Sequence, residues 1–91
     1  MINDTHSFLI NAKKAVLIAY PKTNLDVRDL GVIWFDEKSD PWRAVIFIDG
    51  VEGVCFDVTY DGTKKHTSVT MWPEADRVIV SDLQLERHRF L

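Results

Sequence analysis

From Gly31 to Val80 the chain passes through five apolar segments, and only a few turn-forming residues separate each from the next. Parallel neighbours need a crossover of about a dozen residues or more, and no connection here is long enough to hold one. The segments must therefore pair as an antiparallel meander. They are Gly31 to Phe35, Trp42 to Ile48, Val54 to Tyr60, His66 to Trp72 and Arg77 to Val80. The breaks between them carry turn chemistry: Asp36 to Pro41, Asp49-Gly50 with Val51-Glu52-Gly53, Asp61 to Lys65, and Pro73 to Asp76. The third segment alternates strictly, with Val54, Phe56, Val58 and Tyr60 on one face and Cys55, Asp57 and Thr59 on the other. Thr67, Val69 and Met71 oppose Ser68, Thr70 and Trp72 in the fourth. After the fifth, Ser81 and Asp82 suit a helix cap, while Leu83 and Leu85 suit a longer strand.

The residues ahead of the meander have another period. Phe8, Leu9, Ala12, Ala15, Val16 and Ala19 recur at helical spacing and predict a helix over about Thr5 to Ala19. Asn3, Asp4 and Thr5 are good caps for it, and Pro21 ends it. Ile10 and Leu17 fall opposite the stripe, so this helix is apolar on two sides. A short helix followed by a strand over Ala15 to Tyr20 is the alternative. Residues 22 to 29 form a polar connection.

Ninety-one residues, 46% hydrophobic and 27% charged, describe one globular domain over 1–91 and exclude a disordered chain. The helix occupies 1–20 and the meander 30–91. The expected fold class is α+β, an N-terminal helix followed by a five-stranded antiparallel meander. One tension remains. Gly31 to Phe35 and Ala44 to Ile48 are apolar at consecutive positions, which is usual for strands buried on both faces. One helix covers one face. The other face needs the sheet to curl into a small SH3-like barrel, or needs the C-terminal tail or another chain.

Motifs that would indicate chemistry are weak. Asp57-Val-Thr-Tyr-Asp61-Gly62 starts like a calcium loop, but its twelfth position is Ser68, where a bidentate Glu belongs. Cys55 and His66 sit on successive strands and are a conceivable thiol pair, without any nucleophile signature around them. As the sole cysteine, Cys55 forms no internal disulfide. His6, His66 and His88 lie in three separate segments, with no zinc spacing. Four scattered glycines build no phosphate loop. We expect no catalytic set, no metal site, no cofactor and no enzymatic activity.

Binding is the expected role. The preferred reading is a small protein-binding module of the inhibitor, immunity-protein, antitoxin or adaptor kind. Its partner is another protein or a second copy of the chain. Trp42 follows Pro41 at a strand start and Trp72 precedes Pro73 at a strand end, so both are candidate rim anchors, with Arg43 beside Trp42. Ile10 and Leu17 on the second apolar side of the helix complete the candidate surface. The runner-up is a nucleic-acid-binding small barrel using Lys64, Lys65, Arg77, Arg87 and Arg89 with the tryptophans. A net charge of −3 weighs against it, because phosphate binding draws on cations. No apolar run approaches the roughly 20 residues of a membrane span, and the start lacks the basic residues of a secretory leader. A reducing cytoplasm is the expected compartment.

Overall fold

A computed structural model describes residues 5–21, 25–36, 41–73 and 76–87. Helix α1 spans Thr5–Ala19, as its spacing predicts. Strands β1 (Leu30–Asp36), β2 (Trp42–Ile48), β3 (Cys55–Asp61), β4 (His66–Trp72) and β5 (Asp76–Ser81) follow, then helix α2 (Asp82–Arg87). The sheet order is β1-β2-β3-β4-β5 and every pair is antiparallel. The strands thus form the expected meander. The candidate cap residues Asn3 and Asp4 lie outside the described residues, as do 22–24 of the polar connection.

Alternation decides which side chains meet α1. Ala44 and Ile46 of β2, Phe56, Val58 and Tyr60 of β3, Thr67 and Val69 of β4 and Val80 of β5 are all buried. They pack with Phe8, Ala12, Ala15 and Val16 in one core. Phe8 meets Trp42 edge-on with ring centroids 5.3 Å apart, and Tyr20 packs against Phe56 at 5.4 Å. These contacts clamp the two ends of α1 onto the sheet.

The second apolar side of α1 has its own cover. Leu17 is only 7% exposed, and Leu85 of α2 joins it in the core. Helix α2 is capped reciprocally: the Gln84 amide donates to the Ser81 hydroxyl at 3.2 Å, and the Gln84 side chain accepts from the Ser81 amide at 2.9 Å. The capping reading of Ser81 therefore prevails over a longer strand. The Tyr60 hydroxyl donates to the Asp82 carboxylate at 2.9 Å and fastens α2 to β3.

The sheet does not close into a barrel. β1 and β5 remain unpaired edges. Closure is one way to remove edges and cover both faces. Here α1 lies against β2, β3, β4 and β5 and covers one side of the sheet, while β1 and β5 stay apart at its two edges. The SH3-like barrel expected as cover for the second face is thus replaced by an open sheet with one helical layer.

Candidate open-face interface

The consecutive apolar residues of β1 have a local cause. The pairing with β2 shifts between Val32 and Trp34, so Ile33 is an extra residue in the strand. Leu30, Val32 and Phe35 oppose Ile48, Ile46 and Ala44 on the α1 side of the sheet, while Gly31, Trp34 and Asp36 oppose Phe47, Val45 and Arg43 on the other. β2 needs no bulge. Ala44, Ile46 and Ile48 serve the α1 side, leaving Val45 and Phe47 on the face turned away from it.

That far face can be read in rows across the sheet. One end row runs Gly31, Phe47, Cys55, Trp72. The next runs Trp34, Val45, Asp57, Thr70, Arg77. The third runs Asp36, Arg43, Thr59, Ser68, Ile79. Asp61, His66 and Ser81 close the opposite end. Apolar groups therefore gather at one end and polar groups at the other. Ile33 is 60% exposed, Trp34 47% and Trp72 48%, with Val51 and Ile79 also open to solvent. Ile33, Phe47, Val51, Val54 and Cys55 line a shallow groove of about 580 Å³ beside the β2–β3 turn. Gly50 has φ +79 in that turn, in the left-handed region that glycine adopts without strain.

Two side-chain arrangements shape the face. The Phe47 ring lies over Gly31, whose missing Cβ leaves the room for it. The Arg43 guanidinium holds the Asp57 carboxylate through Nε and Nη2, with Nε to Oδ1 at 2.9 Å, and lies 5.9 Å from the Trp34 ring centroid. Asp57, between Val45 and Thr70, thus presents a neutralised pair instead of a bare carboxylate.

The candidate residues separate on this geometry. Trp72 stands exposed on the open face and Arg43 lies half exposed there. Trp42 and Leu17 leave the candidate surface, because Trp42 packs on Phe8 and Leu17 is buried. Ile10 is half-buried on α1, on the other side of the sheet. Ile33, Trp34 and Phe47 also lie on this face, although none of them is among the candidate residues read from the sequence. The unbroken apolar runs Gly31 to Phe35 and Ala44 to Ile48 carry their signal: a bulge at Ile33 accounts for the first, and an open face that is itself apolar at Val45 and Phe47 accounts for the second. The cations do not converge. Lys64 and Lys65 occupy the β3–β4 turn, Arg77 is on the open face of β5, and Arg87 ends α2. Arg89 and His88 lie outside the described residues.

The conceivable thiol pair separates as well. Cys55 pairs with Trp72 and His66 with Asp61, at opposite ends of the hairpin. Six residues of strand put them about 20 Å apart. Asp61 accepts hydrogen bonds from the Thr63 and Lys64 amides at 2.9 and 3.2 Å, which organises the turn. No group of three or more metal-ligating side chains occurs among the described residues. No described helix is long and apolar enough to cross a membrane.

No protein-family model, curated protein or solved structure matches the chain.

Proposed function

We propose that the protein is a non-catalytic protein-binding module that works by stoichiometric docking through the sheet face opposite α1. The observation that carries this is the end of that face where Ile33, Trp34 and Trp72 stand exposed around Phe47. Soluble monomers seldom leave a contiguous apolar patch of several hundred Å² in water unless something binds it. Tryptophan at such a patch is the residue type most enriched among interface anchors. Inhibitor, immunity-protein, antitoxin and adaptor roles all fit stoichiometric docking of this kind.

Photoreactive residues test the reading. Placed at position 34 or 72 in the native host, they should form protein adducts, while one at exposed Glu86 on α2 should not. Absence of adducts from 34 and 72, or equal labelling from 86, would contradict it.

A further inference from the structure

We infer that the protein has a second binding site, for a small uncharged aromatic molecule, in the cavity between the C-terminal end of α1 and the adjoining end of the sheet. This site lies on the α1 side and does not depend on the binding role proposed above.

The fold leaves the space. Pro21 stops α1, so the helix ends at Ala19, and the Tyr20 ring packs on Phe56. At this end of the sheet Ile48, Val54 and Met71 remain half-buried on the side that faces the helix. Together with Ala19, Tyr20 and Phe56 they enclose a half-open cavity of about 390 Å³, and exposed Pro21 completes its wall. Protein interiors pack closely enough to leave few voids larger than a water molecule. Here small side chains at 19 and 54 keep one open, and larger apolar side chains there would fill it.

The lining selects the chemistry. No charged side chain contributes to it, so an ion brought here would lose its water without gaining a partner. Water finds too few polar groups to be held firmly, and its displacement by an apolar molecule is favourable. The volume and the apolar lining are those of a small-molecule pocket. At about 30 Å³ for each water-sized group, the space takes a molecule of about ten to thirteen non-hydrogen atoms.

The walls favour rings. Tyr20 and Phe56, with centroids 5.4 Å apart and planes tilted by 47°, present ring surfaces at different angles. Met71 pairs with Phe56 across the strands, and its thioether is a favourable neighbour for an aromatic edge. A flat ring system also loses no internal rotations on entry, whereas a flexible chain of the same size does.

Naphthalene is a probe of suitable size. Titrated into the full-length chain and followed by NMR, it should saturate a single site with a dissociation constant below about 0.1 mM. The shifts should centre on Ala19, Ile48, Val54 and Met71. Ala19→Leu fills the cavity from the helix and Val54→Phe fills it from the sheet. Each should weaken naphthalene binding at least about tenfold while leaving the circular dichroism unchanged. Ile33→Asp, on the opposite face, should not alter it. Among smaller probes, benzene should displace naphthalene at lower concentration than cyclohexane does. The site would be overturned by the lack of a saturable shift, by shifts centred on the groove of Ile33 and Phe47, or by undiminished binding in a filled variant that folds. Stronger competition by cyclohexane would overturn the aromatic class.

Discussion

The Phe47 ring stands where residue 31 would carry a side chain: a Cβ built on Gly31 falls 2.3 Å from Cζ of Phe47. The obstructing atom is the far end of an exposed-face side chain, so the ring can swing aside. Gly31→Ala should therefore change folding stability by no more than about 1 kcal/mol, since the lower backbone entropy of alanine offsets the lost contact. It should nevertheless weaken association, because Phe47 no longer lies flat against β1. Chemical denaturation and a binding assay of the same variant separate the two effects.

The two strand-end tryptophans should behave oppositely. Trp42 packs edge-on against Phe8 and joins the core, so Trp42→Ala should cost about 2 to 4 kcal/mol of stability. Trp72 is half exposed, and Trp72→Ala should cost less than about 1 kcal/mol of stability while reducing binding. Urea titrations of both variants check the first contrast, and binding assays the second.

Both tryptophans sit beside prolines at strand ends, and nothing local to them distinguishes anchor from core. Strand parity does. Trp42 pairs with Tyr60 on the α1 side, and Trp72 with Cys55 on the open side. Helix α1 was legible because Phe8, Ala12, Ala15 and Val16 repeat cleanly and Pro21 stops the pattern. The limits of β2 and β4 were legible because turn formers flank both segments. Sheet closure was not legible. It depends on whether β1 and β5 can meet around α1, a matter of three-dimensional fit that alternation does not encode. The fate of Leu17 was hidden likewise, since a second apolar side suits a partner chain as well as it suits α2.

Burial first, and then the hydrogen bond and charge of Asp82, push the Tyr60 phenol from 10.0 up to about 12. The folded protein thus holds this proton more tightly than the unfolded chain. The resulting stability is fully present below the ordinary value of 10.0 and is lost as pH rises through about 12. Tyr60→Phe should cost about 1 to 2 kcal/mol at neutral pH, because the Asp82 carboxylate loses its donor. The wild-type advantage over that variant should shrink across the same alkaline window. Paired denaturation curves against pH measure it.

Thr67 is 1% exposed in the core, and its hydroxyl has no hydrogen-bond partner among the described residues. Thr67→Val keeps the shape, suits a strand and removes the desolvated hydroxyl, so it should be neutral or stabilising by up to about 1 kcal/mol. Thermal unfolding of the variant is the check.

The central claim is that the face opposite α1 is the working surface. Native mass spectrometry of the chain isolated gently from its host tests this most directly. The account predicts that the wild-type chain emerges in a complex heavier than its own 10.5 kDa and that Ile33→Asp emerges alone. A wild-type chain found only at 10.5 kDa, or an Ile33→Asp variant that keeps the same complex, would contradict it.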